Sequence, residues 1–340
     1  MESVEIPLFL PEVNKERVSM KVNILITSVS RKVWLVNVFK DALKECGAKG
    51  KVISVDINPL SAGLYVSDKY YFVSSSSKTD FIPSILKICK KEDIKLIIPT
   101  RDKELLLFAK NKEKFKKQGI YVMVSDPEVV EICNDKYKFY HFLMRNNIST
   151  AESYLPNKIK FSSLIYPVII KPRYGSGSRS IFKAESQREL KFFINYVSDP
   201  IIQEFVNGEE YTVDLFSDFN RRVISIIPRQ RIETFCGESY KGKTVKDFKI
   251  IECAKILAEK LGTIGHITIQ CIKKGNRVKF IEVNPRFGGG AILGIKAGAN
   301  TPLLLLNIIL GKKIEPQIGK FKENLVMLRY TKDLFILNKR

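Results

Sequence analysis

Residues 279–290, KFIEVNPRFGGG, place a glutamate, an asparagine and an arginine at alternate positions of a run that otherwise reads as a strand. Side chains two apart on a strand share a face, so Glu282, Asn284 and Arg286 point the same way. A carboxylate beside an amide oxygen suits a hard cation, and an arginine beside them suits a phosphate. The competing reading is a solvated strand face before a glycine turn. A second stretch, VIIKPRYGSGSRSI at 168–181, ends a strand in Lys171 and continues as a Gly/Ser loop. Backbone N–H groups of such a loop can wrap phosphate oxygens while the lysine adds a point charge. It is not a Walker loop, because Lys171 precedes the glycines and no G-K-[ST] is present. A third stretch, IIQEFVNGEEY at 201–211, could offer the backbone of Glu204 to Val206 to an adenine and Glu210 to ribose hydroxyls. A surface hairpin with acidic residues is the alternative there.

The elements that must position these residues follow from hydrophobic periodicity. Apolar runs predict strands at 22–28, 51–58, 69–75, 94–100 and 120–125, with helices at 33–47, 79–93 and 102–117 between them. This alternation predicts a doubly wound parallel sheet, whose ligands bind beyond the carboxyl ends of the strands. Those ends read TSVSRK and PTRDKE. Ser28, Ser30, Arg31, Thr100, Arg101, Asp102 and Glu104 could bind a small polar substrate there, or simply cap helices. The first turn holds no glycine, so the dinucleotide fingerprint of nicotinamide and flavin enzymes is absent. After residue 126 the pattern changes to two short helices and then to strands at 166–173, 200–206, 209–218 and 222–233. A helix at 246–261, strands at 266–273 and 277–284 and a helical end complete the chain. TPLLLLNIIL at 301–310 reads as a buried helix, being too short to span a bilayer.

The 340 residues are 45% hydrophobic and 27% charged, an ordinary globular balance. The net charge of +21, from 57 basic and 36 acidic residues, is spread along the chain and reads first as surface composition. An anionic small molecule is the next reading and nucleic acid the third. The cysteines at 46, 89, 133, 236, 253 and 271 show neither zinc spacing nor a disulfide framework, so a cytoplasmic setting is expected. The start lacks a basic n-region and a long apolar core. Residues 1–19 are expected to be an extension, or Met20 the true start.

Taken in order, NDKYKFY, IIKPRYGSGS, QEFVNGEEYTVD, GHITIQ and IEVNPRFGGG resemble the ATP-grasp superfamily over roughly residues 20–310. The resemblance is nearest to single-copy relatives of the carbamoyl-phosphate synthase large subunit. It implies an α/β and α+β fold: a doubly wound pre-ATP-grasp domain at 20–126, then a two-subdomain ATP-grasp domain divided into 127–205 and 206–340. It implies Lys136 and Lys171 as ligands of the ATP phosphates, with Gly175, Ser176, Gly177 and Ser178 as a lid. Gln203, Glu204, Phe205 and Val206 would form the adenine hinge, with Glu210 at the ribose. Gln270, Glu282 and Asn284 would hold Mg²⁺ or Mn²⁺, and Arg286 would neutralise transferred phosphate. Arg229 and Arg231 share a strand face and would meet the substrate acid or its acylphosphate; structural salt bridges are the competing role. Ser30, Arg31, Arg101 and Asp102 would complete an anionic pocket. His266, near Gln270, reads as a packed strand histidine.

The activity so implied is ATP-dependent ligation of a small-molecule carboxylate to an amine through an acylphosphate, a carbon–nitrogen ligase of the EC 6.3 type. The chain has one such copy and no recognisable glutaminase, so carboxyphosphate and carbamate chemistry stands second, beside nucleotide binding without turnover. No membrane partner is implied, and a homodimer is compatible with the pattern.

Overall fold

The computed structural model describes residues 21–337 except Ser176, Ser178, Arg179 and Cys236. The expected extension at 1–19 and two of the expected lid residues, Ser176 and Ser178, lie outside the described residues. The chain begins with β1 (Asn23–Thr27), α1 (Val33–Cys46), β2 (Val52–Asp56), α2 (Ala62–Tyr65) and β3 (Lys69–Phe72). Next come α3 (Phe81–Lys91), β4 (Ile94–Ile98), α4 (Asp102–Lys110), α5 (Lys112–Lys116) and β5 (Tyr121–Val122). The middle holds α6 (Pro127–Asn134), α7 (Lys136–Arg145), β6 (Ser153–Tyr154), β7 (Val168–Pro172), β8 (Phe182–Ala184), α8 (Gln187–Tyr196) and β9 (Pro200–Glu204). Then follow β10 (Glu209–Ser217), β11 (Val223–Phe235), β12 (Glu238–Thr244), α9 (Phe248–Leu261), β13 (Gly265–Lys274) and β14 (Arg277–Asn284). Helices α10 (Ala291–Ala297) and α11 (Thr301–Ile309) and strand β15 (Val326–Leu328) come last.

The first sheet is parallel, in the order β3-β2-β1-β4-β5. Its strands are apolar on both faces because both faces are covered. Ile24 and Ile26 of β1 pack in one core with α1 and α11, while Leu25 packs in another with α3 and α4. The strand order reverses between β1 and β4, and that switch point places the turns after both strands side by side. The expected single helix at 102–117 is instead two, α4 and α5. Asn111 divides them, its backbone N–H and its side-chain amide both donating to the Leu107 carbonyl.

Two antiparallel sheets follow, of four strands (β6-β9-β7-β8) and six (β14-β13-β10-β11-β12-β15). Two segments pack differently from the expected grouping. Helices α6 and α7, placed by sequence with the four-stranded sheet, contribute Val129, Phe139 and Leu143 to the core of the six-stranded sheet. Helices α10 and α11, placed with the six-stranded sheet, share a core with α1 through Ile295, Leu304 and Leu305. No single helix among the described residues is long and apolar enough to cross a membrane; α10 and α11 pass that test only as a pair, bent by 75°.

Candidate active site

The four- and six-stranded sheets enclose a cavity of about 440 Å³, lined by Lys136, Lys171, Glu204, Val206, Glu210 and Glu282 among others. Strand β7 ends in Lys171, which is 4% exposed and donates to Gln203 Oε1 across the sheet at 2.8 Å. Lys136, at the first turn of α7, donates to the Gly175 carbonyl at 2.7 Å and lies 3.9 Å from Glu282 Oε2. Lys136 thus meets Gly175 and Glu282, and Lys171 lies close enough to feel the charges of both Lys136 and Glu282. Glu204, Phe205 and Val206 line it too; the Glu204 side chain turns to Lys279 at 2.6 Å, and its backbone N–H donates to the Glu152 carbonyl at 2.8 Å.

Burial pulls the Lys171 ammonium down to about 8, with Lys136 adding to the effect and Glu282 and Glu210 opposing it. Two consequences follow. In the folded protein the proton leaves near pH 8, whereas the unfolded chain keeps it to about 10.4, so this group's contribution to stability rises with pH across that window. Nucleotide affinity should move the other way. We expect it to weaken by up to about tenfold per pH unit above 8, as the phosphate-binding cation is lost. Lys171→Met should flatten that profile in a fluorescent-nucleotide titration, and an equal slope in both proteins would contradict the assignment.

Strands β13 and β14 pair so that Gln270 faces Glu282 and Thr268 faces Asn284. Asn284 Nδ2 donates to Glu282 Oε1 at 3.0 Å. With its amide oriented to satisfy both ends, Gln270 donates to Glu282 Oε1 at 3.3 Å and accepts from Arg231 Nη1 at 3.0 Å. The three expected metal ligands thus form one oxygen-bearing group. Among the described residues no three acidic, histidine or cysteine side chains cluster as a self-sufficient metal site. One carboxylate and two amides fit a hard cation of the Mg²⁺ kind, which takes few protein ligands and completes its shell with water and phosphate oxygens.

A second cavity, about 760 Å³, adjoins the first; Gly175, Gly177, Arg231, Gln270 and Glu282 line both. It is rich in arginine, and most of these arginines are already held. Arg286 reaches from the end of β14 to Asp102 at the start of α4, in a bidentate pair at 2.6 and 2.7 Å. Arg229 is 1% exposed and forms a bidentate pair with Asp214 of β10 at 2.6 and 2.9 Å. Its Nη1 has no partner, and a Cβ on Gly290 would stand 2.6 Å from that atom. Arg231 donates to Glu210 at 2.5 Å and to the Gly237 carbonyl at 3.0 Å. Arg31 and Arg329 share Glu238, at 3.1 and 2.8 Å.

Several of the expected site residues thus already hold protein partners. Glu210, expected at a ribose, is tied to Arg231. Asp102, expected to meet substrate, anchors Arg286. Arg229 forms the structural salt bridge weighed for it, with Asp214, and its Nη1, beside Gly290, has no partner among the described residues. Ser28, Thr100 and Glu104 are structural: the buried Glu104 carboxylate accepts from Thr27, Ser28 and the Thr100 and Arg101 N–H groups, tying the β1 and β4 turns together. Ser30 is exposed, its N–H donating to Asp56 at 2.7 Å, and is absent from the cavity wall, whereas Arg31 and Arg101 line it. His266 is buried, stacked on Phe287 with centroids 4.1 Å apart and 3.6 Å from Asp214. Sequence reasoning missed Asp214 and Glu238. The signal for Asp214 was a lone acid among alternating apolar residues in YTVDLFS, and for Glu238 there was none.

Comparisons with known proteins bear on the family and the fold. Residues 133–290 match the ATP-grasp domain family and residues 24–123 the PylC-like N-terminal domain family. The carbamoyl phosphate synthase large chain of Clostridium acetobutylicum is 26% identical over 81% of this chain, and the match covers 27% of that protein. The arginine-specific large chain of Geobacillus stearothermophilus is 23% identical over 85% of this chain and 29% of its own. The chain therefore spans under a third of the length of these relatives. Among solved structures, Campylobacter jejuni biotin carboxylase superposes with a TM-score of 0.71 at 17% identity, covering 89% of this chain and 74% of that one. L-amino acid ligase from Bacillus licheniformis gives 0.68 at 16% identity, covering 89% and 77%.

Proposed function

We propose, from the match of residues 133–290 to the ATP-grasp domain family and of residues 24–123 to the PylC-like N-terminal domain family, that this chain is an ATP-dependent carboxylate–amine ligase. The observation that carries the proposal is the shared wall of the two cavities: Arg231, Gln270 and Glu282 border both the nucleotide-sized space and the arginine-lined one. A triphosphate seated on Lys136 and Lys171 would present its γ-phosphate at that wall, where an acid from the second cavity can reach it. A carboxylate is a poor acylating agent because oxide is a bad leaving group. Its oxygen attacks the γ-phosphorus, the bond to ADP breaks, and an acylphosphate forms. The amine nitrogen then attacks the carbonyl carbon, the carbon–oxygen bond to phosphate breaks, and the ammonium proton is lost. Two anions must meet for the first step, and Lys171, Arg231 and Arg286 supply the fixed positive field that permits it. A divalent cation on Gln270, Glu282 and Asn284 would add charge neutralisation of the triphosphate.

Carboxyphosphate chemistry, the second reading, needs room only for bicarbonate, and the arginine-lined cavity of about 760 Å³ favours a larger acid. Incubation with Mg²⁺, ATP and a panel of carboxylic acids, with hydroxylamine as a generic nucleophile, tests the proposal. Hydroxamate should form with matching ADP. Formation of AMP, or no hydroxamate with any acid, would overturn it.

A further inference from the structure

Resting on the ligase reading, we propose that the acid co-substrate carries a second anionic group, received by Arg101 and Lys103 at the start of α4. Both side chains line the arginine-rich cavity. Every other arginine lining it has a carboxylate: Asp102 for Arg286, Glu210 for Arg231, Asp214 for Arg229 and Glu238 for Arg31. Among the described residues Arg101 and Lys103 have none, and the acids beside them in sequence are engaged elsewhere: Asp102 by Arg286, and the buried Glu104 by four donors. Glu238 serves two arginines, so it adds no spare negative charge.

A second observation points to a ligand in the same cavity. Arg229 is almost wholly buried, yet its Nη1 is unpartnered and abuts Gly290 on the cavity wall. A buried donor without an acceptor is costly, and an incoming oxyanion relieves that cost. One carboxylate at Arg229 and the Glu282 wall leaves Arg101 and Lys103 uncompensated in a cavity large enough for a longer molecule. A dicarboxylate or a phosphate-like group on a carboxylic acid closes the charge balance. A monocarboxylate does not.

The test measures binding of three acids of matched length to the full chain saturated with Mg²⁺ and a non-hydrolysable ATP analogue: pentanoate, glutarate and 4-phosphonobutanoate. Calorimetry should show at least one dianionic acid binding about tenfold or more tighter than pentanoate, the scale of a charge-assisted contact. The double variant Arg101→Ala/Lys103→Ala should lose that gain. Glutarate against phosphonobutanoate decides between a carboxylate and a phosphate-like second group. Equal binding by all three acids, no binding by any, or a gain that survives the double variant would overturn the proposal. Nucleotide affinity is read in the same samples: its absence counts against the ligase reading, and its presence without a dianion preference counts against this inference alone.

Discussion

Glu282→Ala should lower ATP turnover by about 10²–10³-fold or more, the range seen when one fixed group that stabilises charge at a reacting centre is removed. Among the described residues Glu282 is the only carboxylate shared by the two cavities, and Gln270, Asn284 and Lys136 all converge on it. On the proposed reading, its loss removes the negative charge that a hard cation would require there. It also leaves Glu210 as the remaining carboxylate offsetting the burial of Lys171 beside Lys136. The side chain is only partly exposed but sits at a cavity wall, so the fold should survive, with the thermal midpoint near wild type. Steady-state phosphate release at several Mg²⁺ concentrations is the measurement, and a variant turning over at the wild-type rate would remove Glu282 from the centre of the site.

Asp214→Ala should destabilise the protein by about 3–5 kcal/mol, the cost of leaving one member of a buried ion pair alone. Arg229 would keep its charge at 1% exposure with no carboxylate beside it. Burial acts to raise the Asp214 carboxyl, but Arg229 and His266 outweigh it and hold it down at about 2. The stability this pair contributes is therefore present above the ordinary aspartate range near 3.9 and is lost as pH falls toward about 2. Replacing both partners with apolar residues, Asp214→Leu/Arg229→Met, should recover much of the stability while still losing the buried donor at the cavity wall. Urea unfolding of the three proteins decides the matter; equal stability of wild type and Asp214→Ala would show the pair to be dispensable. The same reasoning makes Arg229→Ala a poor probe of substrate binding alone, since it strands a buried carboxylate.

What could be read from the sequence was local. The alternation of apolar runs and helical stretches gave the parallel sheet, because β1, β2 and β4 are buried on both faces and their composition says so. Period-two spacing placed Glu282, Asn284 and Arg286 on one face, and Lys171, at a strand end before glycines, lines the first cavity with Gly175. What stayed hidden depends on topology. Asp102 and Arg286 are 184 residues apart, and nothing local to either names the other. Strand β12, ESYKGKT, is too polar to read as a strand; it exists because β11 and β15 supply its hydrogen bonds. Helix α8 does not stand out in the sequence although Ser186 caps it, since its apolar face covers only the small core of the four-stranded sheet. The packing of α10 and α11 against α1 is likewise a tertiary fact, invisible in the run TPLLLLNIIL itself.

The central claim is that a carboxylate oxygen attacks the γ-phosphate of ATP across the wall formed by Arg231, Gln270 and Glu282. Transfer of ¹⁸O from a carboxyl-labelled acid that supports turnover tests it most directly, with the released phosphate read by mass spectrometry. An acylphosphate route requires each phosphate to leave carrying one oxygen from the acid. Phosphate containing the label at one oxygen per molecule is the predicted result; phosphate released without label, its new oxygen drawn from water, would contradict the account.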